Sequence, residues 1–241
     1  LGWFGLSEKH TEILAFGLLA MYAISILLAV KNYDRFTAVM MAFVIFSPAA
    51  WMCYKFANLD LVIFILIALM LSLEKSSLFL ALGLLELATV LKFFPIAALG
   101  FLLKEERKRF LRLAAIVMGI FAVYLMLTWK DASWILGHAP KGALENYGVE
   151  VVGFRINEIT GLRAASNLVT APLFMAAYLV MMAGLYFSSR FKIAATDQRF
   201  LDAFRIGALI YLATFVQGNS FNYRFIFTVF AVPQMVLWAR E

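Results

Sequence analysis

Lys92-Phe93-Phe94-Pro95 cuts an otherwise apolar stretch, Ser77 to Leu103, into LFLALGLLELATVL before it and IAALGFLL after it. A lysine at mid-bilayer costs roughly 2.5–3.5 kcal/mol on insertion scales. Phe94 precedes a proline and is biased away from helix, and Pro95 has no backbone N–H to donate. A cation beside a forced turn is cheap only where the turn reaches an interface or a wet cavity. The stretch is therefore expected to fold as a short helical hairpin with Lys92 at its tip.

The rest of the chain fixes the setting for this hairpin. Hydrophobic residues fill 64% of the 241 positions, well above the roughly half typical of soluble domains. They fall in continuous blocks of about 15–21 residues, suited to spanning helices; transmembrane barrel strands would alternate over about ten residues. The sequence thus predicts an all-α, polytopic transmembrane helical bundle of about eight to nine hydrophobic segments. These are Ile13–Val30, Phe36–Tyr54, Leu61–Leu73, Leu78–Leu91 with Ile96–Leu103, Leu111–Thr128, Leu168–Phe187, Ile206–Val216 and Phe225–Leu237. Residues 1–241 read as one membrane domain, with residues 129–166 as an extracytoplasmic loop. Leu1 carries no initiator methionine or basic leader, which predicts a piece of a longer protein.

If the stretch is a hairpin, the basic residues sort to one side. That side receives Lys31, Arg35, Lys75, the run from Lys104 to Arg112, Arg190, Lys192, Arg199 and Arg240. The other side keeps Lys9, Lys55, Lys92, Arg224 and the cations of the long loop. The first side is then cytoplasmic and the Lys92 tip faces outside. The hairpin arms would reach about 21 and 12 Å at 1.5 Å per residue, short of a ~30 Å hydrocarbon core. The Lys104–Arg109 run reads as a topology anchor on an anionic leaflet, Asp202 and Arg205 as a helical i,i+3 pair, and Pro48 as a kink.

The net charge of +6 fits a basic membrane surface. With the cations lying between spans, it gives no support to nucleic-acid binding. One cysteine and two distant histidines exclude an intrachain disulfide and make a thiolate or histidine metal centre an unsuitable reading. No nucleotide-binding, zinc-protease or nucleophile-elbow motif occurs.

On the outer side, Asn58, Asp60, Lys92 and the polar stretch from Gln217 to Arg224 occupy breaks between apolar helices. Asn and Asp side chains suit sugar hydroxyls, and Lys and Arg suit a lipid phosphate through charge-assisted bonds. Simpler readings stand beside these. Lys92 could snorkel to the interface, Arg224 could pair with a helix end, and Asp60 could serve as a capping or first-turn acid. Glu86 is an intramembrane carboxylate whose alternatives are packing against another span and function.

Several of these elements resemble the polytopic glycosyltransferases of the C superfamily, closest to the family 87 type that uses polyprenol-phosphate-mannose. The carrying residues are Leu85 to Pro95 with the basic run that follows, Ser47-Pro48 ahead of Ala57-Asn58-Leu59-Asp60, and Tyr223-Arg224-Phe225-Ile226-Phe227. Ala57 stands where the family pattern has glycine. The resemblance implies inverting transfer of a mannose-like hexose from a polyprenyl-phosphate donor to a glycan or glycolipid acceptor. The active site would face outside a bacterial or archaeal plasma membrane, with no covalently bound cofactor. Lys92 and Arg224 would neutralise the donor phosphate, with Tyr223, Asn58 and Asp60 also binding substrate. The catalytic base is expected upstream of Leu1. From the residues alone, a transporter or flippase for a lipid-linked or anionic substrate is the rival, and a non-catalytic membrane scaffold the third reading.

Overall fold

The computed structural model describes residues 11–30, 33–55, 58–138, 146–161, 169–170, 172–176, 178–180, 198–216 and 220–240. The fold is mostly helical. Helix α1 (Thr11–Ala29) is followed by α2 (Arg35–Ile45) and α3 (Pro48–Lys55), bent 59° from each other at the Pro48 break. Then come α4 (Leu59–Leu73), α5 (Leu78–Leu91), a 3-10 helix (Phe94–Lys104), α6 (Arg107–Leu127) and α7 (Trp129–His138). The chain continues through β1 (Asn146–Tyr147), α8 (Val149–Thr160), α9 (Gln198–Val216), β2 (Ser220–Phe221), a second 3-10 helix (Asn222–Phe230) and α10 (Val232–Trp238). The expected span Leu168–Phe187 lies largely outside the described residues.

Local chemistry sets the helix starts. The Asp34 side chain accepts the Thr37 N–H to open α2, Asn58 accepts the Asp60 N–H to open α4, and Ser77 accepts the Leu80 N–H to open α5. Each satisfies one of the donors that a helix N-terminus leaves free. At the other end of α5, Lys92 turns extended, with φ −152° and ψ 145°. Pro95 stands in the first turn of the following 3-10 helix, where its missing N–H leaves no vacant acceptor.

The chain doubles back at Lys92. Glu74, just before α5, lies 2.8 Å from Lys104, the last residue of the 3-10 helix; that contact requires the two arms to run antiparallel. The tight winding corrects the arm lengths expected from the sequence. At about 2.0 Å per residue, the eleven residues Phe94–Lys104 span about 22 Å, matching the ~21 Å of α5. The second arm reaches that length by taking in Lys104, the first residue of the basic run.

Helices α1 and α6 are long and apolar enough to cross a membrane, and the bent α2–α3 pair is a third candidate. Their outward faces are apolar, with Phe16, Phe43 and Leu127 strongly exposed, the pattern of helices that meet lipid. This is a membrane protein. Helix α4, helix α5 and the first 3-10 helix are shorter apolar elements; α4 and the 3-10 helix are packed inside, whereas α5 buries one face and leaves Phe79, Leu80 and Leu87 exposed.

The core joins α1, α4, the hairpin, α9 and the second 3-10 helix. Phe64 of α4 stacks on Phe230 at 4.5 Å and meets Tyr22, and Phe94 meets Phe227 edge-on. Close approach of α9 requires Gly207, where a Cβ would sit 2.8 Å from the Phe227 carbonyl oxygen. The expected last span, Phe225–Leu237, is instead a 3-10 helix followed by α10, with Pro233 in the first turn of α10. The expected loop at residues 129–166 holds α7, β1 and α8. Helix α9 begins eight residues ahead of the expected Ile206, because the polar residues of its first turns are paired inside the protein.

Candidate functional site

The break at Lys92, the start of α4 and the start of the second 3-10 helix meet at one end of the bundle. They bring together Asn58, Asp60, Lys92, Tyr223 and Arg224, residues scattered over most of the sequence. Asp60 is fully buried, and its Oδ1 accepts a hydrogen bond from Lys92 Nζ at 2.7 Å. Lys92 also reaches Asn58 Oδ1 at 3.4 Å and lies 5.6 Å from the centroid of the Tyr223 ring. Asn58 thus has two tasks, capping α4 and turning its carbonyl oxygen to the cation.

Arg224 approaches the other Asp60 oxygen. Its Nε is 3.9 Å from Asp60 Oδ2, beyond hydrogen-bond reach, and both atoms are buried without a hydrogen-bond partner. The guanidinium covers the face of Phe94 at 4.8 Å, and its Nη1 donates to Ser220 Oγ at 2.7 Å. Ser220 is fixed in turn by donating to the Thr214 carbonyl and by β2, which pairs antiparallel with β1. Tyr147 of β1 hydrogen-bonds Thr214 and forms a three-ring cluster with Tyr211 and Phe225, which also touch each other. Burial, only partly offset by the Thr214 bond, pushes the Tyr147 phenol up to about 12. Burial and the Asp60 charge likewise raise Tyr223, against its hydrogen bond to Asn58. Both phenols are neutral donors at neutral pH.

The charges do not cancel. Asp60 supplies one negative charge against the cations of Lys92 and Arg224, whose side chains keep 25% and 15% of their exposure. An accessible excess of positive charge beside neutral hydroxyls and an amide can bind a phosphate and orient groups attached to it. Beside the site, a cavity of about 620 Å³ lies between the α2–α3 bend and the second 3-10 helix, with Ser47, Asn222 and Thr228 in its lining. Asn222, Phe225 and Thr228 are three apart, the repeat of one 3-10 face. Among the described residues, no group of three or more His, Cys, Asp or Glu could hold a metal ion.

A second ionic cluster occupies the other end of α4, about 21 Å away at 1.5 Å per residue. Lys104 donates to Glu74 Oε2 and to Asp202 Oδ2, both at 2.8 Å, and Asp202 Oδ1 accepts from Gln198 and from Arg205. Lys104 is therefore corrected from a leaflet anchor to an internal tie between the hairpin, α4 and α9. Burial lowers its ammonium, but hydrogen bonds to Asp202 and Glu74 outweigh that and hold it above the usual lysine value. Burial raises Glu74 despite Lys104. The nearby Arg199 donates to the Leu28 and Ala29 carbonyls, closing the end of α1. Asp202 and Arg205 do form the expected i,i+3 pair, at 3.0 Å.

Glu86 lies apart from both clusters, with its carboxyl oxygens buried and unpartnered. Ala57, Gln217, Gly218 and Asn219 lie outside the described residues. Sequence reasoning missed Tyr147 and Thr214, which no local pattern distinguishes, and the bridging role of Lys104, hidden in a run that reads as surface charge. No family model, curated protein or solved structure matches the chain.

Proposed function

We propose that this chain is the membrane-embedded part of a polyprenyl-phosphate-sugar-dependent glycosyltransferase, and that the Asp60–Lys92–Arg224 cluster binds the phosphate of the donor. The observation carrying this reading is the uncancelled positive charge at a helix break, built from residues that also carry the resemblance to the C superfamily. The five-residue convergence is what a sugar-phosphate site requires: cations for phosphate, an amide and a phenol for hydroxyls. In this reading the protein crosses the membrane many times, the hairpin enters from the cytoplasmic side, and its tip faces outward.

In the reaction, an acceptor hydroxyl oxygen attacks the anomeric carbon of a mannose-like hexose and forms the new C–O bond. The bond from that carbon to the phosphate oxygen breaks, its electron pair stays on the phosphate, and the hydroxyl proton passes to a base. Lys92 and Arg224 stabilise the charge that develops on the leaving phosphate, the kind of preorganised electrostatic help that lowers such barriers. Asp60 Oδ1 already accepts from Lys92, so we assign Asp60 to holding the cations and leave the base to another group.

The decisive experiment offers labelled polyprenyl-phosphate-mannose and a glycolipid acceptor to the purified full-length protein in detergent, without vesicles. Mannose transfer that disappears in Lys92→Ala supports the enzyme. Donor binding with no product, together with donor movement across reconstituted vesicles, would establish the transporter or flippase instead.

A further inference from the structure

We infer that Asp60 fixes the charge of the site at one net positive unit and so makes it select a singly charged phosphodiester over a doubly charged phosphomonoester. This rests on the phosphate reading above and deepens it. Asp60, Lys92 and Arg224 are the charged side chains that the described residues bring into mutual contact here. The titratable neighbours Tyr223 and Tyr147 are neutral phenols, and Cys53 is a buried thiol; Lys55, ending α3, is exposed. Asp60 is fully buried and reaches toward both cations from the first turn of α4. An incoming anion therefore meets the cations with Asp60 behind them, on the open side where Lys92 keeps a quarter of its exposure. Arg224 Nε, buried without a partner, is a donor still to be used.

A polyprenyl-phosphate sugar is a phosphodiester with one negative charge, which this site neutralises. Once the sugar leaves, the remaining phosphomonoester takes on a second charge, with a second pKa of roughly 6. A dianion costs far more to take out of water than a monoanion, because that cost rises with the square of the charge, and a site that Asp60 holds at one positive unit does not offset the difference. The same carboxylate that seats the cations would favour donor over spent carrier and speed its release.

The test measures equilibrium binding of two short synthetic lipids to the purified protein, farnesyl methyl phosphate as diester and farnesyl phosphate as monoester. At pH 8 the wild type should prefer the diester, and Asp60→Asn should move the preference about tenfold toward the monoester, as expected for one added unit of charge a few ångströms away. A second measurement needs no variant and holds if Asp60→Asn does not fold. Wild-type affinity for the monoester should rise severalfold from pH 7.5 to 5.5 as the lipid takes up its second proton, while diester affinity stays flat. If both lipids bind, an unchanged preference in a folded Asp60→Asn, or a flat pH response of the monoester, overturns the charge-selection inference and leaves the phosphate site standing. Failure of both lipids to bind would overturn the phosphate site itself.

Discussion

The two ionic clusters at the ends of α4 are built from the same kinds of residue and differ in how completely they are paired. Around Lys104, two carboxylates meet two cations; each Asp202 oxygen accepts at least one hydrogen bond, and of Glu74 only Oε1 is left without a partner. Around Lys92, one carboxylate meets two cations, with Asp60 Oδ2 and Arg224 Nε left without partners. A neutral, bonded cluster holds helices together, whereas a cationic, under-bonded one retains interaction strength for a ligand. Buried polar atoms without partners are costly and occur at both ends of α4, Glu74 Oε1 among them, so the uncancelled positive charge at the hairpin tip is the feature that separates a candidate site from a structural tie.

The largest effect that would break this contrast is on folding. Lys104→Ala leaves Glu74 and Asp202 buried with a single cation, Arg205, and should cost about 3 kcal/mol, the low end for breaking a buried pair because Lys104 is partly exposed. A thermal-unfolding midpoint unchanged from the wild type would show that the Lys104 cluster does not tie the bundle. Lys92→Ala should do the reverse: sugar transfer falls about a hundredfold, as when one preorganised donor to a developing charge is lost, with a smaller drop in midpoint. Equal loss of stability in the two variants would erase the distinction.

An intermediate effect is expected between the clusters. Gly207→Ala pushes a Cβ against the Phe227 carbonyl and the Ala231 nitrogen, on the 3-10 helix that carries Arg224. It should cost about 1–3 kcal/mol as overpacking and weaken donor binding while the Lys104 end keeps its hydrogen-exchange protection. The smallest effect is at Asp34, which belongs to neither cluster. Its hydrogen bonds to Thr37, and then to Arg240, hold the carboxyl near 2 instead of the ordinary 3.8. That contribution is complete above about pH 3.8 and disappears as pH falls through about 2. Between those values the wild type should lose a little more thermal stability than Asp34→Ala; identical pH profiles would count against the cap.

The parts of this architecture that were legible in the sequence are those where polarity interrupts an apolar run. Lys92 before Pro95, Asn58 with Asp60 at the head of α4, and Tyr223-Arg224 ahead of the last apolar segment each stand out against their neighbours. Their convergence follows once the helices between them run antiparallel. The Asp202–Arg205 pair was legible from its spacing, but its tie to Lys104 was not, because Lys104 begins a run of charges indistinguishable from an exposed loop and Asp202 is 98 residues away. Nor was the 3-10 winding of Phe94–Lys104. An all-apolar segment carries no contrast from which a three-residue repeat could be told from a 3.6-residue one, and packing against α9 decides it.

The most direct measurement is equilibrium binding of a short-chain polyprenyl-phosphate-mannose to the full-length wild type and to Lys92→Ala and Lys104→Arg, each first confirmed as folded. The account predicts binding weakened about a hundredfold in Lys92→Ala and nearly unchanged in Lys104→Arg, which keeps the cation that ties the hairpin. Wild-type affinity in folded Lys92→Ala would contradict it, and would return the hairpin-tip lysine to a cation resting at a membrane interface.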